Sequence, residues 1–134
     1  MKKTFLFISL LVILSIITAC APTEEAIVLS VDGQVYSKSE LDAIGTMSVD
    51  YTDKDGETTT YEGVLLSEVL NNAGVNGDTI IFTAADGYEA EMPLEDAMAC
   101  SDCIVAFDDG SLRMVMPDLS GKLQVKDVVE ISVE

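Results

Sequence analysis

Tyr61-Glu62-Gly63-Val64-Leu65-Leu66-Ser67-Glu68-Val69-Leu70-Asn71-Asn72-Ala73-Gly74 is the stretch that decides the fold. Leu66, Val69, Leu70 and Ala73 fall at i, i+3, i+4 and i+7, which predicts one apolar stripe on a short helix. Gly74 supplies the left-handed residue that ends such a helix. Ahead of it, Thr58–Tyr61 reads as a strand, and Gly63 as the point where the chain bends out of it. The unit is strand, glycine, helix, glycine.

Upstream, Ala26–Val31 and Gln34–Tyr36 are short β-like runs around Asp32-Gly33, a two-residue hairpin signal. Ser37 and Glu40 have capping-box spacing, and Leu41, Ile44 and Gly45 complete a helix of one to two turns. Thr46–Thr52 reads as a strand, Asp53–Gly56 as a turn and Glu57–Tyr61 as the returning partner. Downstream, Val75–Asp78 is a loop and Thr79–Ala84 a largely buried strand. Asp86-Gly87 turns it into Tyr88–Met92, where Tyr88, Ala90 and Met92 are expected inward and Glu89 and Glu91 in solvent. Pro93 stops that strand, and Leu94–Ala99 predicts a further short helix. Ile104–Phe107 and Leu112–Met116 flank the hairpin turn Asp108-Asp109-Gly110. In the last strand, Val128–Val133, strict alternation places Val129, Ile131 and Val133 on one side. Strands outnumber helices, and no alternation of long helices with strands suggests a doubly wound sheet. The fold class is α+β: mixed, mainly antiparallel β with short helices.

Several of these blocks carry a family resemblance. Gly63-Val64-Leu65-Leu66 with Leu70 and Ala73-Gly74-Val75 resembles the central block of the oxidoreductase molybdopterin-binding domain, the sulfite oxidase-like fold. Val31-Asp32-Gly33 with Ser39-Glu40-Leu41 looks like its opening hairpin and first helix. Ala85-Asp86-Gly87-Tyr88 and Met92-Pro93-Leu94 are similar to its Ala-x-Asp-Gly-Tyr…Pro-Leu block. Leu112-Arg113-Met114-Val115-Met116-Pro117 and Val125-Lys126-Asp127-Val128 resemble its two closing blocks. The resemblance covers about Val28–Val133 and implies a molybdopterin cofactor whose metal is held by a cysteine shortly before the central block. The corresponding stretch here, Thr46–Asp55, contains no cysteine. Pterin and phosphate also need several cationic donors; Arg113 is the candidate cofactor-binding residue, with structural pairing to one of the many carboxylates as the alternative.

Lys2 and Lys3 precede an apolar run, Phe5–Ile17, that is too short to span a bilayer comfortably and reads as a signal peptide. It ends in Ile17-Thr18-Ala19-Cys20, which resembles the bacterial lipobox, whose cysteine is acylated and becomes the mature N-terminus. The expected organisation is a lipoprotein signal peptide at 1–19, lipidated Cys20 with a short tether at 20–25, and one domain at 26–134. The tether, Ala21–Glu25, reaches about 15–20 Å at most. The expected location is extracytoplasmic, lipid-anchored to a bacterial membrane.

The 134-residue chain less this 19-residue leader leaves 115 residues, enough for one cored domain. Of seven basic residues two leave with the leader, so five face 24 acidic ones, a formal charge of −19. That field repels nucleic acid, anionic lipid and small anions, and favours neutral or cationic ligands or protein partners. The chain has no histidine, which removes the usual general base, Ser-His-Asp and Cys-His machinery, and most catalytic zinc sites.

Cys100 and Cys103 remain as a pair outside the reducing cytosol, expected to form a local disulfide. Their spacing also fits a thiol–disulfide redox motif. Asp96, Asp102 and Asp108 weigh against that, because nearby carboxylates disfavour a thiolate. Tyr51–Glu62 nearly matches a calcium loop, but Tyr51 stands where the first ligand aspartate belongs, and a hairpin turn explains it better. No catalytic residue and no metal site is assigned. The expected function is a membrane-anchored lipoprotein whose molybdopterin-binding-like domain is a cofactor-free binding or accessory module. A molybdopterin-dependent oxidoreductase, or a subunit of one, is the alternative, and a redox protein acting through Cys100 and Cys103 is a further one.

Overall fold

The computed structural model describes residues 27–134. The leader, Cys20, the tether and Ala26 at the expected domain boundary lie outside the described residues. In chain order the elements are β1 (Val28–Val31), β2 (Gln34–Ser37), α1 (Lys38–Ile44), β3 (Met47–Thr52), β4 (Thr58–Leu65), α2 (Leu66–Ala73), β5 (Thr79–Ala84), β6 (Glu89–Pro93), α3 (Leu94–Ala99), β7 (Ile104–Asp108), β8 (Ser111–Val115) and β9 (Val128–Val133), with a single 3-10 turn at Gly121–Leu123 before β9. One sheet has the order β2-β1-β9-β5-β6 and the other β3-β4-β7-β8. The β1–β9 pair is parallel and the other strand pairs are antiparallel. The expected α+β class holds.

Both sheets contribute one face to a shared core. Leu29, Val31, Ile80, Phe82 and Ile131 enter from the five-stranded sheet, and Val64, Val105, Leu112 and Met114 from the four-stranded one. The helices close it. Leu66, Val69 and Leu70 of α2 are fully buried, each worth roughly 1.5–3 kcal/mol relative to exposure, and Gly74 ends α2 in the left-handed conformation (φ 67°). At α1 the capping box forms as its sequence predicts, with Ser37 N–H donating to Glu40 Oε2 at 2.7 Å and Glu40 N–H to Ser37 Oγ at 3.4 Å. A second, smaller cluster of Val49, Ile104, Ala106 and Val115 lies on the other face of the four-stranded sheet, with Met47, Tyr51 and Tyr61 packed against it. That face carries the site described below.

Three expectations fail, each for a local reason. Gly63 is not a bend: β4 runs straight through it, pairing Gly63 with both Met47 of β3 and Ala106 of β7. Its role is close approach, since a Cβ there would fall on the Val105 carbonyl oxygen and 2.6 Å from Ala106 Cα. Tyr88 is not inward but 46% exposed. Its N–H is held by Asp86 Oδ1 in the turn, so alternation starts only at Glu89, and its hydroxyl donates to the Lys122 carbonyl at 2.9 Å. In β9 the alternation breaks because the pairing with β5 slips between Thr83 and Ala84. Val128 and Ile131 are therefore buried while Val129 is exposed.

Candidate functional site

The second half of the segment Thr46–Asp55, from Tyr51 on, and Arg113, far apart in sequence, meet at one cleft of about 500 Å3. One wall is the β3–β4 hairpin, supplying Tyr51, Asp53, Lys54, Asp55, Glu57, Thr59 and Tyr61; the other is Arg113 of β8 with Gly121, Gln124 and Lys126. The β3–β4 register pairs Tyr51 with Thr59 and Val49 with Tyr61, so the two tyrosines share the outer face of the sheet. Across the cleft, Lys126 bridges to Arg113 as an isolated antiparallel pair, and Met114 N–H donates to the Val125 carbonyl at 2.8 Å. The Gln124 amide bonds the Met116 backbone twice, accepting from its N–H and donating to its carbonyl. Gln124 therefore clamps the wall.

Arg113 is the one buried residue of the lining, at 8% exposure. Its Nη1 donates to Tyr61 Oη at 3.0 Å, and its guanidinium lies 4.8 Å from the Tyr61 ring centroid. Asp108 Oδ2 stands 3.7 Å from Nη1, beyond hydrogen-bonding distance, on a side chain 41% exposed. The Nε–H is buried without a partner. A guanidinium this buried is under-compensated by such neighbours. Lys126 opposite it adds a like charge, which cross-strand geometry penalises.

The hairpin's Asp53 has a local duty: Oδ1 accepts from the N–H groups of Asp55 at 2.8 Å and Glu57 at 3.0 Å. This is an Asx turn closing a hairpin, and the calcium-like spacing of Tyr51–Glu62 is accounted for by it. On β3, Asp50 accepts from the Thr60 hydroxyl and stays exposed, so it belongs to the hairpin surface and not to the cleft.

Cys100 and Cys103 form a disulfide with their Cα atoms 5.6 Å apart. It borders a separate groove of about 540 Å3, over apolar Met92, Pro93 and Leu123, with Glu91, Asp96, Asp102 and Asp118 around it and no basic residue among the lining. Cys103 is fully buried and Cys100 partly so.

The donor set of the Arg113 cleft does not suit a thiolate-ligated molybdenum pterin. Its lining has no cysteine or histidine, and both cysteines among the described residues are joined to each other. Three cations, Lys54, Arg113 and Lys126, are matched by three carboxylates, Asp53, Asp55 and Glu57, which oppose the phosphate of such a cofactor. The sequence points to Arg113 and to the cysteine-free segment Thr46–Asp55 separately. The convergence of Lys54, Lys126 and Tyr61 on them depends on the β3–β4 register and on how the chain between β8 and β9 returns, which no local spacing encodes.

A family model described as oxidoreductase molybdopterin binding domain matches residues 21–134. A search of curated proteins finds no match to the chain.

Proposed function

The chain belongs to the oxidoreductase molybdopterin-binding domain family, and on that premise we propose that it is a membrane-anchored extracytoplasmic lipoprotein whose domain acts as a cofactor-free binding or accessory module. One observation carries the reading. The second half of the segment that corresponds to the family's metal-ligand stretch, Tyr51–Asp55 of Thr46–Asp55, lines the same cleft as Arg113, yet that cleft offers tyrosines, carboxylates and amines in place of a thiolate and a set of cations. On this reading the family's fold is kept while the donor set of the cleft differs from that of a thiolate-ligated cofactor site. The anchor rests on the leader and Cys20, with the tether holding the domain close to the lipid surface. The strong negative charge of the domain keeps anionic lipid and nucleic acid away from it.

The test is elemental analysis of the full chain, expressed with its signal peptide in a host that makes molybdenum cofactor. Molybdenum well below one atom per chain is expected. Near-stoichiometric molybdenum would replace this reading with the molybdopterin-dependent oxidoreductase. For the anchor, Cys20→Ala is expected to move the protein from the membrane fraction to the soluble one, and retention in the membrane would remove lipidation from the account.

A further inference from the structure

The charges of the Arg113 cleft are segregated. The hairpin wall carries Asp53, Asp55 and Glu57 against one lysine, Lys54, whereas the facing wall carries Arg113 and Lys126 and no carboxylate. The cleft is thus negative on one side and positive on the other, with no net formal charge, in a domain whose surface is otherwise strongly acidic. A free anion drawn to Arg113 has to pass that acidic field, and a free cation drawn to the hairpin meets two cations opposite. A ligand carrying both charges avoids each penalty.

We propose that this cleft binds a small zwitterion, its carboxylate seated at Arg113 and Lys126 and its ammonium among the hairpin carboxylates. The proposal rests on the cofactor-free reading of the same site and names its ligand class. Arg113 gives the positive end its independent support. It is more than nine-tenths buried, retains an N–H without a partner, and has only a distant, half-exposed carboxylate beside it. A carboxylate arriving there supplies the counter-charge that the protein offers only through distant Asp108, and relieves the repulsion between Arg113 and Lys126. Tyr51 and Tyr61 also line the cleft and supply an aromatic surface, suited to a short aliphatic spacer.

The test is titration calorimetry on the full chain in neutral detergent, with 5-aminopentanoate, pentanoate and pentylammonium as probes. The zwitterion is expected to bind at least about tenfold more tightly than either singly charged analogue. Arg113→Gln and Glu57→Gln are each expected to weaken it by about tenfold or more and to narrow its advantage over the singly charged probes. Because Arg113 is buried, Lys126→Gln at the exposed cross-strand position is the companion variant, expected to weaken the zwitterion without lowering the melting temperature. Equal binding of pentanoate would make this a plain anion site, equal binding of pentylammonium a plain cation site, and no binding of any probe would end the proposal. Molybdenum in the purified chain would overturn the cofactor-free reading and this proposal with it. Molybdenum-free protein that ignores the zwitterion overturns this proposal alone.

Discussion

Tyr61 holds Arg113 in two ways across 52 positions of sequence: its hydroxyl accepts from Nη1 at 3.0 Å, and its ring centroid lies 4.8 Å from the guanidinium. The two contacts can be separated by mutation. Tyr61→Phe keeps the ring and removes the acceptor from a buried charge, at a cost of about 1–2 kcal/mol. Tyr61→Leu removes both and is expected to cost more. Urea unfolding at neutral pH measures the difference, and a Tyr61→Phe midpoint equal to that of the parent would show that the hydroxyl is not holding the guanidinium.

Gly63 sits where β4 passes from its pairing with β3 to its pairing with β7, and the Val105 backbone occupies the space of its absent side chain. Gly63→Ala must push two strands apart, and backbone cannot yield as a flexible side chain can. A loss of about 3 kcal/mol or more is expected. Gly121→Ala is the control, because nothing lies within 4 Å of its Cβ position, and it should stay within about 0.5 kcal/mol of the parent. Thermal unfolding of the two variants side by side decides the matter. A mild Gly63→Ala phenotype would mean that the strands separate easily at that point.

The legible parts of this fold are those set by local chemistry. The Asp32-Gly33 and Asp109-Gly110 turns form with positive φ at both residues. The Ser37–Glu40 box starts α1, and the 3.6-residue stripe of α2 is buried as its spacing predicts. What local pattern could not supply is pairing. Gly63 looks like a bend in isolation because a glycine inside a strand has no local signature of the neighbour that needs the space. Val129 looks inward until the slip against β5 is known, and Tyr88 until its turn is. The cleft is the same kind of object: Arg113 and the cysteine-free β3 segment are visible in sequence, but their meeting is a property of the sheet.

The disulfide closes a loop of two residues between Cys100 and Cys103, so the denatured chain loses little freedom to it, and about 2 kcal/mol is the scale of its contribution. The double variant Cys100→Ala/Cys103→Ala should fold and melt at a modestly lower temperature. Intact-mass measurement should show the parent gaining two hydrogen atoms on reduction. With Asp96 and Asp102 bordering the same groove, the released thiols should not ionise below the range of an ordinary cysteine. A thiol titrating well under that range, together with catalysed disulfide exchange, would restore the redox reading of this pair.

Glu40 links the α1 cap to pH. The Ser37 backbone N–H bonds its carboxylate, the Ser37 hydroxyl bonds it again, and together they hold it below its ordinary value of 4.5 despite some desolvation. The folded protein therefore binds fewer protons at Glu40 than the unfolded chain does just below that value. The stability it contributes is complete above about pH 4.5 and is lost as pH falls through the lower folded value. Glu40→Gln should destabilise the protein at pH 7 and converge on the parent in acid, as read by urea unfolding at both pH values; a gap independent of pH would place the effect outside the carboxylate. The same variant has a second readout at the alkaline end. Tyr36, whose hydroxyl donates to Asn72 Oδ1 at 2.9 Å, is raised above 10.0 first by burial and then by the charge of Glu40. Its stabilising contribution is present below pH 10 and is lost as pH rises through the folded value. Removing the Glu40 charge should lower the Tyr36 titration midpoint, followed by ultraviolet absorbance, while burial keeps it above the ordinary value. An unmoved midpoint would mean that Glu40 is too well screened by solvent to act on the ring beside it.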